Sequence, residues 1–336
     1  MVKIICTFLI QLLIVGLATC GIVCQANDEF EEGKYEVVDT GLEQTIVYGP
    51  GVLGEWLDDR RILLNALQDS PNAQEMRLDR VVIFDTTSQK YSVLLPSSSF
   101  ICRNPNSKIA RIVTNGIDNF IKLDDDGKFS AVAEAPRWDK FLCSAHEPLK
   151  PDRLQAFLRE GDGYIDRGKA GGGYSRDNAT LYRPNRPPVE LPVIGGNVGS
   201  IVYISRLKRY LLGSTDYLSG DVLPAGKPVF NLMTSDGEIT EIPQPAQFVK
   251  MFGGFAGVQF MRDGMLVFGH MGPNIKNPGM FFLKEGKVIR IFGADKQFAS
   301  RVLSSPDGCT LAFLSFKDTN FTTSKKIKLI NLCKEK

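Results

Sequence analysis

Apolar runs of four to eight residues recur along the chain, each closed by turn residues. Arg80-Val81-Val82-Ile83-Phe84, Tyr91-Ser92-Val93-Leu94-Leu95, Ile201-Val202-Tyr203-Ile204, Met280-Phe281-Phe282-Leu283 and Lys326-Ile327-Lys328-Leu329-Ile330 are representative. They are rich in β-branched and aromatic residues, and several alternate apolar with polar, which predicts strands. Between them stand Asp85-Thr86-Thr87-Ser88-Gln89, Asp124-Asp125-Asp126-Gly127, Ser235-Asp236-Gly237 and Lys284-Glu285-Gly286. Glycine takes positive φ without steric cost, so these read as tight hairpin turns. Only Asp152 to Arg159 has helical spacing, and it predicts one or two turns of helix on a loop.

A phrase returns in degraded form: a lead residue, a polar turn, then a strand. It reads Trp56-Leu57-Asp58-Asp59-Arg60-Arg61-Ile62, then Met261-Arg262-Asp263-Gly264-Met265, and most fully Ser304-Ser305-Pro306-Asp307-Gly308-Cys309-Thr310. Weaker echoes begin at Asn104, Arg137 and Ser205. Spacings near the length of a four-stranded unit divide the chain into six, at 50–96, 97–136, 137–192, 193–245, 246–298 and 299–333. The third and fourth are long enough to hold a seventh. Tyr35-Glu36-Val37-Val38-Asp39 is a spare strand that would join the last unit and close a ring.

The stretch from Ser304 to Cys333 resembles one blade of the TolB-type, WD-like β-propeller repeat, in which Ser-Pro-Asp-Gly precedes a strand and a second strand follows. Locally, Pro306 fixes φ at the turn entry, Asp307 caps its own backbone and Gly308 takes the left-handed position. The resemblance implies an all-β propeller, and because that family has no single chemistry it implies no function.

The N-terminus sets the expected compartment. Lys3 precedes an apolar run from Ile4 to Cys24, and polarity returns at Gln25-Ala26-Asn27-Asp28-Glu29. This predicts a secretory signal over 1–26 and one propeller domain over 27–336, with a long insertion at 147–192. Leu17-Ala18-Thr19-Cys20 also fits a lipobox with Thr before the cysteine, and the run is long enough for an uncleaved anchor. Export to the periplasm or outside the cell is expected, with membrane contact only through this segment. Beyond the leader remain Cys102, Cys143, Cys309 and Cys333, an even number suited to two disulfides. Cys309 and Cys333 flank the two runs of one unit, leaving Cys102 with Cys143; the alternative is four buried free thiols.

Composition narrows the chemistry. Forty basic and 38 acidic residues leave a net charge of +2, so no broad nucleic-acid footprint exists. Zinc has no support, with no Cys-x-x-Cys pair and two histidines in all. No cofactor is indicated. The acid triplet before Gly127 lacks the spaced ligands of a calcium loop, and the glycine-rich 168–175 stretch lacks a Gly-Lys-Ser/Thr ending. His146 and His270 stand at expected strand ends, where with Asp139 or Asp263 they are weak candidates for acid–base work. Tyr164, Tyr174 and Tyr182 with Arg176 and Arg183 are candidates for an aromatic and basic binding surface on the insertion. The leading expectation is a monomeric binding scaffold for a protein or glycan; the rival is a hydrolase or lyase acting on a sugar or lactone.

Overall fold

The computed structural model describes residues 30–45, 52–67, 79–103, 108–132, 153–158, 163–169, 179–191, 201–213, 230–242, 257–268, 278–317 and 324–334. The expected leader, 1–26, lies outside them. Strands β1 (Glu31–Glu32) and β2 (Val37–Thr45) come first and join the fifth and sixth sheets, respectively. The first sheet is β3 (Gly54–Trp56), β4 (Arg61–Leu67), β5 (Asp79–Asp85) and β6 (Lys90–Leu95). The second is β7 (Ser98–Arg103), β8 (Ile109–Thr114), β9 (Ile117–Leu123) and β10 (Phe129–Ala131). The third is β11 (Arg153–Phe157), β12 (Tyr164–Lys169), β13 (Thr180–Arg183) and β14 (Arg186–Glu190). The fourth is β15 (Ile201–Ile204), β16 (Arg209–Gly213), β17 (Phe230–Met233) and β18 (Ile239–Glu241). The fifth is β19 (Gly257–Phe260), β20 (Met265–Phe268), β21 (Met280–Lys284) and β22 (Lys287–Phe292), with β1 added in parallel on β22. The sixth is β23 (Phe298–Ser304), β24 (Thr310–Phe316) and β25 (Ser324–Asn331), completed by β2. Each four-stranded unit is an antiparallel meander, and the expected spare strand closes the last one.

Among the described residues, apolar layers pack five of the six seams between neighbouring sheets. One buried cluster joins Leu63, Val81 and Ile83 of the first sheet to Phe100, Ala110 and Leu123 of the second. Others join the third to the fourth, the fourth to the fifth, and the fifth to the sixth. The layer from Ile62, Leu64 and Phe84 to Ala312, Leu314 and Ile327 joins the first sheet to the sixth, which makes the array circular. A sheet with two apolar faces is buried only by its neighbours, so closure removes the two wet faces an open stack would leave. The fourth strands β6, β10 and β14 are largely exposed and form the rim, while β4 and β24 are buried almost throughout.

The recurring phrase occupies one place in every unit where it is described: the turn from the first strand to the second. Trp56–Arg61, Met261–Met265 and Ser304–Thr310 bridge β3–β4, β19–β20 and β23–β24. There the turns bind one another. Arg206 Nη2 donates to Met261 O (2.9 Å), Arg262 N to Gly308 O (2.9 Å), and Asp307 N to Asp59 Oδ1 (2.8 Å). Arg61 continues the chain of contacts by donating to the carbonyls of Asp125 and Asp126 in the β9–β10 turn. Gly308 has φ +73°, and a Cβ there would lie 2.7 Å from Arg262 N, so glycine serves both the turn and the approach of the next blade. Asp307 accepts from Cys309 N (2.9 Å) and from Arg262 Nη2 (3.3 Å). Replacing Asp307 by alanine is expected to cost about 1–2 kcal/mol, read as a lower urea midpoint at unchanged slope.

Two expectations are corrected. Residues 153–157 are strand β11, paired with β12 at Gln155↔Asp166 and Phe157↔Tyr164, not helix. Over so short a run, helical spacing and strand alternation share several positions, and the sheet decides. The 147–192 segment is not an insertion on a blade: β11 to β14 inside it are the third blade. Its Pro187-Pro188 pair masked the strand signal. Proline is tolerated there because β14 is an edge strand, where one of the two missing N–H groups would face outward, and because the ladder shifts register opposite the pair, between Leu181 and Arg183.

Candidate functional site

The connections divide sharply between the two ends of the ring. Those at the end carrying the phrase are short, none longer than 158–163. The segments 68–78, 132–152, 214–229 and 242–256 all leave from the opposite end. Long connections on a rigid scaffold are where binding and catalysis concentrate. The phrase end is also consumed by turn-to-turn bonding, so the opposite end is the candidate side.

On that side, polar groups from three adjoining blades converge. Gln44, with no exposed surface, donates through Nε2 to Val52 O (3.0 Å) and Asn65 O (3.2 Å). Its Oε1 accepts from Arg301 Nη1 at 2.7 Å, and Arg301 Nη1 also reaches Thr45 O at 3.3 Å. Asn65, equally buried, donates to Phe100 O (2.8 Å) and accepts from Phe100 N (2.7 Å), clasping the first strand of the second blade. Ser99 Oγ, next along that strand, donates to Asp79 Oδ2 at 2.6 Å. Burial pushes the Asp79 carboxyl above its ordinary 3.8, against the Ser99 hydrogen bond and the Arg301 charge. Burial likewise draws the Arg301 guanidinium down, and Asp79 opposes it. Asp79, Ser99 and Arg301 each keep part of their surface open. The group is therefore an acid, a cation and a hydroxyl at the ring mouth, a constellation typical of sites rather than of plain packing.

The backbone beneath Arg301 is unusual. Arg301 has φ 51°, and the β23–β24 register shifts between Ser300 and Leu303. This is a bulge, which re-aims a side chain at local cost. Ala299 and Val302 pack toward the fifth blade, while Leu303 packs toward the first. The extra residue turns Arg301 toward the first blade and onto Gln44.

The charges of the phrase end behave differently. Lys108 and then Arg103 hold the Asp125 carboxyl below its usual range, against some burial. Asp85 is lowered chiefly by the Ser88 backbone N–H. In Asp58, burial is outweighed by the N–H groups of Arg60 and Arg61 and the Arg61 side chain. A carboxyl whose folded pKa is depressed contributes stability above its unfolded value, and loses that contribution as pH falls through the folded one. Stability from these groups is thus expected to be flat at neutral pH and to fall below about pH 4. Asp79 has the opposite sign: the cost of keeping it ionised disappears as pH falls through its raised value. Thermal melts across this window on wild type and Asp125→Asn check the first part, the variant showing a shallower acid decline.

The residues expected from the sequence are placed as follows. Asp263 is exposed in the β19–β20 turn, at the phrase end and away from the mouth. Tyr164 and Tyr182 face each other across β12 and β13 with rings stacked, centroids 5.0 Å apart. Arg183 is 12% exposed and bonds Asp236 of the fourth blade, which Arg186 also holds at 2.5 Å. That arginine ties two blades together. His146, His270, Asp139, Tyr174, Arg176 and Cys143 lie outside the described residues. Cys309 and Cys333 form a disulfide, and Cys102 is disulfide-bonded as well. Asp79, Ser99 and Arg301 escaped the sequence reading. Their one local signal is a charge inside an otherwise uncharged strand, Arg301 in Phe298–Ser304.

No protein-family model matches the chain, and no curated protein matches it. Among solved structures it is similar to an acylaminoacyl peptidase of Pyrococcus horikoshii, with 12% identity and TM-score 0.45 over 76% of this chain and 47% of that one. It thus spans about half the peptidase's length. It is similar also to the β-propeller domain of the Trilobed protease from Pyrococcus furiosus, described as having an open velcro topology (8% identity, TM-score 0.34, 85% of this chain, 78% of that one). A third is an oligogalacturonate lyase from Vibrio parahaemolyticus (9% identity, TM-score 0.40, 89% and 98%). The likeness is one of fold, and with its own six sheets the chain is a six-bladed β-propeller.

Proposed function

We propose that the protein is an exported binding scaffold that takes a protein or glycan partner at the mouth formed by Asp79, Ser99 and Arg301. The observation that carries this is the asymmetry of the ring. One end is short turns bonded to one another; the other combines the long connections with a partly open cluster of opposite charges, Arg301 on β23 and Asp79 at the start of β5. Export is supported by the apolar run from Ile4 to Cys24 followed by abrupt polarity, and by the Cys309–Cys333 disulfide. Among the described residues no helix is long and apolar enough to cross a membrane.

The test is to screen the purified protein on an oligosaccharide array and a displayed-peptide library. Binders are then measured against Arg301→Gln and Asp263→Asn. Loss of about tenfold or more in affinity in the first variant, with none in the second, is the expected result. The reverse pattern would place binding at the phrase end and remove the proposal. Fractionation with sequencing of the mature N-terminus tests export, with a start near Asn27 or Gly21 expected.

A second reading, a hydrolase or lyase on a sugar or lactone, is favoured by Asp79 alone. A partly buried carboxyl held protonated more readily than usual suits a general acid. Turnover of nitrophenyl glycosides or of a lactone panel, abolished in Asp79→Asn, would support it.

A further inference from the structure

We infer that the partner at the mouth is a neutral saccharide, one pyranose ring lying against Phe298 with its hydroxyls bonded to Arg301 and Asp79. The inference rests on the mouth reading above and names its ligand class. Phe298 opens β23, the first strand of the sixth blade, at the functional end, and stays partly exposed. Its ring is stacked on Phe316 (centroids 5.7 Å apart, planes 17° apart), and Phe316 itself is buried. The aromatic face is thus braced from behind. In β23, Phe298 and Ser300 share one side by strand alternation, and the bulge brings Arg301 to that side. Without the extra residue, the guanidinium would point toward the fifth blade with Ala299 and Val302. Ser300 Oγ, between platform and cation, is buried with no hydrogen-bond partner.

Charge selects the class. Arg301 and Asp79 carry one positive and one negative charge and act on each other. Ser99 adds a partly open hydroxyl on the Asp79 carboxylate, 2.6 Å away. A neutral polyol leaves this balance intact, because each hydroxyl donates to a carboxylate and accepts from a guanidinium. An anionic ligand would leave an excess negative charge in a partly buried site, or require a proton on Asp79. The C–H face of a pyranose is apolar and suits an aromatic plane, as its rim of hydroxyls suits the paired charges.

The experiment is titration calorimetry of the purified protein with maltotriose, cellotriose and chitotriose, and with digalacturonate as the anionic control. At least one neutral trisaccharide is expected to bind, and Phe298→Ala and Arg301→Gln each to weaken it by about tenfold. Phe298→Tyr, which keeps the platform, should retain binding, and Asp263→Asn should leave it unchanged. Unaltered melting temperatures separate lost contact from lost fold, and Ser99→Ala is the milder substitute should Arg301→Gln unfold. Binding of digalacturonate alone, tightening as pH falls, would overturn the neutral class and leave the mouth reading standing. So would a peptide binder sensitive to Arg301→Gln with no saccharide bound. Saccharide binding indifferent to both Phe298 and Arg301 would overturn the site itself.

Discussion

A chain beginning at residue 46, and so lacking β2 together with the two-residue β1, is expected to lose cooperative thermal unfolding and to associate through exposed apolar surface. Strand β2 contributes in two directions. Along its edge it pairs with β25 from Val37↔Ile330 to Thr45↔Ser324. Across the seam, Leu42, 1% exposed, packs with Leu64 and Phe84 of the first blade and with Leu314 of the sixth. Removing the strand opens an unpaired edge on β25 and strips the apolar seam on which circularity depends. It also deletes Gln44, leaving Asn65 O and Val52 O without that donor and the partly buried Arg301 without its Gln44 and Thr45 acceptors. A graded form of the same test is Leu42→Ala, expected to cost about 2–5 kcal/mol from lost transfer energy and the cavity left behind. Differential scanning calorimetry checks both. A truncated chain that still melts in one sharp transition near the parent temperature would show that the ring does not need its closing strand.

Replacing Arg103 by alanine is expected to be nearly as damaging, at about 3–5 kcal/mol. Arg103 ends the first strand of the second blade with a side chain 5% exposed. It reaches Glu55 of the first blade (3.1 Å), Asp125 of its own β9–β10 turn (2.8 Å) and Leu123 O (3.3 Å). Glu55 is 16% exposed, so removing its cation leaves a carboxylate with little water to take over. Asp125, 56% exposed and also bound by Lys108, tolerates the loss better. The cost is therefore assigned mainly to the Glu55 contact. Adding Glu55→Gln to Arg103→Ala should recover part of it, since the double variant no longer buries an unpaired charge. Urea denaturation of the three variants measures the coupling; additive losses would show that the two groups act independently.

Much of the architecture is legible from residue order, for a local reason. Short apolar runs with Gly-bearing turns specify antiparallel neighbours, and neighbours in sequence are neighbours in these sheets. The phrase around Trp56, Arg262 and Pro306 recurs because each blade needs the same turn, and the structure adds that these turns also bond blade to blade. The third blade was obscured where two periodicities overlap at Leu154 to Leu158 and where prolines sit on an edge strand. Both are cases in which the local signal is ambiguous until the sheet is present.

The mouth was not legible. Residue type points toward histidines and loop tyrosines, because those groups carry chemistry most often. Arg183, chosen as a binding cation, is spent on Asp236 between two blades. What the amino-acid order by itself determined was strand, turn, repeat and closure, each set by contacts along the chain or between adjacent strands. What only the tertiary structure decided was the meeting of Gln44, Asn65, Asp79, Ser99 and Arg301, and the bulge that turns Arg301 toward them. Alternation tells which side of its own strand a residue takes. It does not tell which residues far away in the chain face it once the ring has closed, and there the ends of the chain are brought against its first two blades.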